Sequence, residues 1–465
     1  MMDCIVCGGE VSTEMLAPSA GPPMKIGVCT ICGHAIRLEG RVLAGNYVRQ
    51  REGHSAGLWV IGLYFLLVYI LLPTQLIVSE GDSTFERLPL VLGIVMLALA
   101  IVTGRLPRGI GVPAAVFAVL AVATILSGMR GPAGVLEAVR LFFAHTGMGI
   151  AMVLLIRKRS DMRLVLNVIL LAALLNAFYG LCWVVPGLSI IAELAATVGM
   201  PEGVAPGFET RLVGLLSDPT NCGLLLVMGL IISTHRVYKG ESKHNLVAAG
   251  VLAFALFSTF SRTSWAAAIG GQLLLALRQR RTATRILPLV LGLALVADLG
   301  TDVIRRVLDT NEFRMHLSES DTRSEAWIAW LRLAMEEPMG YGLGSTPRLA
   351  RENLEIDSKY YGQYPHNMYL SLWVESGLPA AISIIVLLVI AFRRAWVAAK
   401  VACDPARGFD SAVLFPALLL SISIGVFGLS YMFQLVYIAI GLCLASSAIA
   451  SQVGHQDGRI PVVGE

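Results

Sequence analysis

Two Cys-x-x-C pairs stand at the start of the chain, CIVCGG from Cys4 and CTICGH from Cys29. Cys4, Cys7, Cys29 and Cys32 can close tetrahedrally on one Zn2+. A closed four-cysteine site keeps no open coordination position, so such a zinc is structural. The glycine after each pair permits the tight turn that aims backbone N–H groups at the sulfurs. His34 is nearby, but four cysteines already complete the shell. Two disulfides or four idle thiols are the competing readings, and a reducing cytoplasm disfavours the first. Cys182, Cys222, Cys403 and Cys443 lie in or near apolar runs and read as small buried hydrophobes.

A second set of reactive residue types interrupts the ends of apolar segments. FETRLVGLLSDPTNCG carries Arg211, Asp218 and Asn221; FSTFSRTSW carries Arg262; YPHNMYLSLWVESGLP carries His366, Asn367 and Glu375. Arg262 sits between two apolar segments with almost no loop, where a charge is costly and usually faces a cavity or a partner. Snorkelling to the interface is the bland alternative. His366 follows Pro365 near a helix start, where it could act chemically or simply cap. Asp218 could orient an arginine, or it could be the N-cap expected ahead of Pro219. Glu375 lies nine residues after His366 on the same expected helix, so it either supports the same face or ties two helices together.

These residues need a membrane scaffold to hold them. The chain is 56% hydrophobic and only 15% charged, with a mean hydropathy of +0.71. Soluble domains carry about 25% charged residues. About 20 apolar residues cross a bilayer. Apolar length and breaker residues predict twelve spans, near 57–79, 88–104, 109–128, 139–156, 164–185, 222–235, 245–260, 264–277, 286–304, 366–391, 411–428 and 433–450. No cleavable signal peptide is expected, because the first long apolar run begins only near Gly57.

Lysine and arginine set the expected orientation. Arg105 and Arg108, Arg157 to Arg163, Arg236 to Lys243, Arg278 to Arg285, and Arg393 to Lys400 fall in alternate connections, which the positive-inside rule makes cytoplasmic. Both termini are then cytoplasmic. The long loops near 186–221 and 305–365 fall outside, on the side of Arg211, Arg262 and His366. The second loop contains WIAWLRLAMEEPMGYGLG, whose periodicity suits an amphipathic helix on the membrane or over a cavity. The expected organisation is an all-α polytopic membrane domain over 57–450 behind a zinc-ribbon-like segment at 1–45.

The order SDPTN, FSRTSW, RSEAWIAW with PMGYGLGS, then HNMYLSLWVESGLP resembles the O-antigen ligase and polymerase superfamily. The similarity covers roughly residues 60–450, and the last motif is its most specific part; the cysteine pairs are not part of the pattern. The resemblance implies a C-type membrane glycosyltransferase in the bacterial inner membrane, working without nucleotide sugar or catalytic metal. It implies an undecaprenyl-diphosphate-linked glycan donor and a glycan or lipid A–core acceptor hydroxyl. Other polysaccharide-assembly proteins are expected partners, and nucleic acid is not. Arg211 and Arg262 would hold the diphosphate, with Arg323 as a third cation, and His366 would accept the hydroxyl proton or orient the acceptor. Asp218, Asn367 and Glu375 would line or support the substrate site. Polymerisation of repeat units is the first expectation and ligation of a finished glycan the second. A transporter or flippase also fits twelve spans, but no internal repeat is visible.

Overall fold

The computed structural model describes strands between residues 2 and 37 and, with short gaps, residues 110–278, 326–353, 365–402, 413–428 and 433–456. The expected spans at 57–79 and 286–304, and nearly all of 88–104, lie outside the described residues. So do Cys4, Cys7, Cys32 and Arg323.

The N-terminal segment forms an antiparallel sheet in the order β1 (Met2–Asp3), β2 (Glu10–Leu16), β3 (Met24–Cys29) and β4 (Ala35–Arg37). The remaining architecture is mainly helical. It begins with α1 (Gly111–Arg130), α2 (Gly134–Leu141) and α3 (Gly147–Leu155), the last two joined by a π-helical turn at Phe142–Thr146. Next come α4 (Arg159–Val184), the hairpin β5 (Val204–Ala205) and β6 (Phe208–Leu212), α5 (Pro219–Tyr238), α6 (Lys243–Ser258) and α7 (Arg262–Arg278). The chain continues as α8 (326–336), α9 (Thr346–Asn353), α10 (Met368–Ala402), α11 (Leu414–Gly425) and α12 (Phe433–Gln456).

Each expected span that falls among the described residues corresponds to a helix, or to the α2–α3 pair. α1, α4, α5 and α10 are long and apolar enough to cross a membrane; α6, α11 and the Gln434–Ala450 stretch of α12 are apolar but shorter. The chain is an integral membrane protein by these helices. The hairpin β5–β6 falls in the long loop expected near 186–221 and puts strands into a domain read as all-α; it carries Arg211 on β6.

Local chemistry starts the helices where they begin. Asp161 accepts from the backbone N–H groups of Arg157 and Lys158 at 3.1 Å each, closing the first turn of α4. Ser242 Oγ accepts from His244 N at 3.2 Å to start α6.

Between apolar helices, packing rather than water exclusion drives association, so small residues sit where backbones approach. A Cβ at Gly441 on α12 would lie 2.7 Å from the carbonyl of Gly149 on α3. One at Gly229 on α5 would lie 2.6 Å from Ala173 Cβ on α4. α5 packs against α4, α6, α7 and α11, while α10 packs against α1 and α12; α11 and α12 join the two groups. The buried core runs continuously through these helices.

α10 is broken inside its span. Gly377 adopts φ 84°, ψ 168°, and Pro379 follows it. Freed backbone groups at such depth need protein partners. The PMGYGLGS segment supplies them: Tyr341 N donates to Val374 O (2.8 Å), Gly342 N to Glu375 O (3.1 Å), and Leu378 N donates to Pro338 O (2.8 Å). Gly342 holds φ 97°, and a Cβ there would strike the backbone of Arg130 and Gly131 at the end of α1. α8 lies beside this splice. Ala326, Trp330, Leu333 and Ala334 bury one face against Leu370 and Val374 of α10, while Ile328 and Met335 stay exposed. The amphipathic helix read from the sequence is therefore a cap on the first half of α10.

Candidate active site

Arg262 opens α7 directly after the tight turn that ends α6. Hydroxyls build that turn. Thr259 Oγ1 donates to Leu256 O at 2.7 Å and accepts from Ser261 N at 3.2 Å. Ser261 Oγ and Ser264 Oγ share a 2.8 Å hydrogen bond. Trp265 donates to Leu256 O at 3.0 Å and stacks on Phe257 with centroids 5.6 Å apart. Phe260 is held at φ 49°, a left-handed conformation costly for a bulky side chain, so the turn is over-determined by its surroundings.

Arg262 is exposed among the described residues. A cation at a helix N-terminus opposes the macrodipole, whereas an anion placed there is favoured by both dipole and guanidinium. The position therefore suits an anion better than it suits the free helix.

The N-terminus of α5 stands next to that of α7, because Ser264 Oγ donates to Thr220 O at 3.4 Å. Upstream, Asn176 of α4 is fully buried and accepts from Leu215 N at 3.1 Å, which fixes the 3-10 turn Gly214–Leu216. β6 packs against α4, α5 and α6, so Arg211 belongs to the same end of the bundle as Arg262. Asp218 accepts from Asn221 N at 2.7 Å as the N-cap of α5. The capping alternative for Asp218 is thus realised.

His366 comes to this end through α10. Its backbone sits at φ 46°, a conformation open to few residues besides glycine. Pro365 O accepts from Trp327 Nε1 at 2.8 Å, so α8 anchors the residue before it. Asn367 Oδ1 accepts from the N–H groups of Tyr369 (3.0 Å) and Leu370 (3.2 Å), which makes its oxygen the cap of α10. Tyr369 donates to Ser423 O at 3.2 Å and rests on Phe427, tying the start of α10 to the end of α11. That same end of α11 packs against α5 through Gly425 and Leu224 and against α7 through Ile424 and Gly270. The N-termini of α5, α7 and α10 therefore gather around one end of α11.

Glu375 serves the second of its two expected uses. Its carboxylate accepts from Thr346 Oγ1 and from the backbone N–H groups of Gly344 and Thr346, at the start of α9. It ties the α8–α9 cap to α10. In the same cap, burial together with Glu336 and Glu337 pushes the Tyr341 phenol up, so it stays neutral at ordinary pH.

The sequence reading singled out Arg262 and His366, and the structure brings the starts of α7 and α10, at or next to which they stand, to one end of α11. That reading missed the hydroxyl turn at Thr259–Ser264, although FSTFSRTSW displays those hydroxyls. It missed the Trp327–Pro365 anchor, for which no local pattern exists. The opposite end of the bundle carries the basic ends of the helices. There Arg236 donates to Asn167 and pairs with Glu241 at 3.9 Å.

If Asp218 works through capping, Asp218→Asn keeps the N-cap oxygen and leaves stability and activity near those of the parent. Asp218→Ala loses the cap and about 0.5–2 kcal/mol of helix stability. Thermal melts of both variants, each paired with a transfer assay, check this. An inactive but fully stable Asp218→Asn would assign the carboxylate to chemistry instead.

The family model for O-antigen ligases matches residues 247–385. The matched stretch runs from α6 into α10, so it contains Arg262, the α8–α9 cap, His366 and Glu375. Arg211, Asp218 and the N-terminal sheet fall before it. No curated protein matches the chain. The match supports a membrane enzyme that processes glycans, with glycosyl transfer as the general chemistry.

Proposed function

We propose that this protein transfers a glycan from an undecaprenyl-diphosphate carrier to an acceptor hydroxyl at the outer face of the bacterial inner membrane. The observation that carries the reading is Arg262 at the N-terminus of α7, inside the matched stretch that also holds His366. The acceptor oxygen bonds to the anomeric carbon as the bond from that carbon to the diphosphate oxygen breaks. The hydroxyl proton passes to His366, which must start as a neutral imidazole. Negative charge grows on the departing lipid diphosphate. Arg262, the α7 N-terminus and Arg211 stabilise it, since guanidinium forks match phosphate oxygens. Arg323 is a further cation for the same diphosphate. No metal is assigned to this chemistry, because arginine supplies the charge.

Two acceptor modes follow. Ligation to lipid A–core or a similar acceptor is favoured by the description of the matched family. Polymerisation of repeat units uses the same residues with a glycan as acceptor. Reconstitution with a lipid-linked repeat unit separates them: one transferred glycan per acceptor means ligation, and a ladder of lengths means polymerisation. No turnover with either acceptor by folded protein would sink both.

The proposed orientation puts both termini in the cytoplasm and the 305–365 loop outside. In intact cells, a cysteine introduced at Ser358 should react with an impermeant maleimide, and one at Ser242 should react only after permeabilisation. The reverse pattern would move the site to the cytoplasmic face and remove the proposed donor geometry.

A further inference from the structure

We propose that Trp327 is a positioning residue for His366: its indole N–H, acting through the carbonyl of Pro365, fixes the backbone from which the imidazole works. The inference rests on His366 being the proton acceptor of the transfer. Peptide geometry carries it. The Pro365 carbonyl and the His366 N–H lie in one planar unit. Turning that plane is what changes φ at His366. Trp327 Nε1 donates to Pro365 O at 2.8 Å, so the plane is held where φ at His366 is 46°. On the other side Asn367 is fixed. Its Oδ1 accepts from Tyr369 N and Leu370 N, and its carbonyl accepts from Ser371 N at 2.8 Å. With both neighbours anchored, neither backbone angle of His366 is free, and its Cα–Cβ bond has one direction. A left-handed histidine persists only where its surroundings over-determine it.

An indole on a short helix fixes nothing unless the helix is itself fixed. α8 meets α10 at both ends. At its start Trp327 reaches Pro365; just past its end Pro338 O accepts from Leu378 N at 2.8 Å, and Tyr341 N donates to Val374 O at 2.8 Å. The two helices therefore run side by side, in the same direction, from His366 to the break at Gly377. Between these ties Trp330, Leu333 and Ala334 pack with Leu370 and Val374, and Trp327 rests on the same cluster. At the far end a Cβ on Gly340 would lie 2.5 Å from Gly377 N, so the two backbones touch there. α8 is thus a brace that carries the order of the broken α10 back to the turn holding His366. Phenylalanine in place of Trp327 would keep an aromatic ring on the cluster and remove the one donor the indole has.

The test compares Trp327→Phe with the parent chain in proteoliposomes, reading release of undecaprenyl diphosphate from a lipid-linked glycan with acceptor present. A misplacement of about 1 Å can cost about 100-fold in rate, so kcat should fall about 10- to 100-fold while the donor KM stays parental. The same substitution in the His366→Asn background should change the residual rate little, because the group it positions is gone. A tryptophan that served stability alone would lower both backgrounds by the same factor, and that result would overturn the inference. Should Trp327→Phe also melt earlier than the parent, both backgrounds carry the same loss and their comparison still decides. A parental kcat in Trp327→Phe beside an inactive His366→Asn would overturn the positioning role alone. A fully active His366→Asn would instead remove the proton acceptor, and with it the transfer step on which the inference rests.

Discussion

Arg262→Ala is expected to lower the transfer rate about 100- to 1,000-fold, the usual cost of removing one preorganised donor from a developing anion, or about 2.7–4 kcal/mol of barrier. Arg262→Lys should recover only part of this, because an ammonium keeps the charge and loses the fork that grips two phosphate oxygens. Arg262 is exposed among the described residues, and the turn before it is held by Thr259, Ser261, Ser264 and Trp265. Removing a cation from a helix N-terminus even relieves an unfavourable dipole contact. Rates measured at saturating lipid-diphosphate donor, with melting temperatures for each variant, separate the two effects. A stable Arg262→Ala with a parental rate would take the diphosphate away from α7.

His366→Ala should lose about 100- to 10,000-fold if the imidazole takes the acceptor proton. The backbone complicates that variant, since φ at His366 is 46° and alanine is strained there. His366→Asn is the sharper test, because asparagine accepts left-handed geometry and cannot serve as a general base at this position. Both variants should be similarly inactive, with His366→Asn keeping the parental melting temperature. If His366→Asn stays active, the histidine serves the turn between Pro365 and Asn367 and the proton goes elsewhere.

The scaffold of this site was largely legible because bilayer length and helix periodicity act on contiguous residues. The helices from α1 to α7, and α10 to α12, follow apolar runs bounded by charges, glycine or proline. Asp218 before Pro219 announced the start of α5 in the same local way. Features made by distant partners were not legible. Trp327 reaches Pro365 across 38 residues, and Thr346 meets Glu375 across 29. Neither spacing has a local signature, so the sequence alone leaves Glu375 as open to a substrate contact as to a helix tie. Backbone strain at Phe260 and His366 is likewise invisible in sequence, because nothing in either residue type demands a positive φ. PMGYGLGS was readable as a motif, but its use as a splice for the broken α10 depends on Gly377, more than thirty residues later.

The central claim is glycosyl transfer with a lipid diphosphate as leaving group. Its most direct test follows undecaprenyl diphosphate release from a lipid-linked glycan by the purified chain in proteoliposomes, with an acceptor present. The account predicts release matched one-for-one by glycosylated acceptor, absent without acceptor and lost in Arg262→Ala and His366→Asn. Folded protein that moves the intact lipid-linked glycan across the bilayer and releases no diphosphate would contradict it.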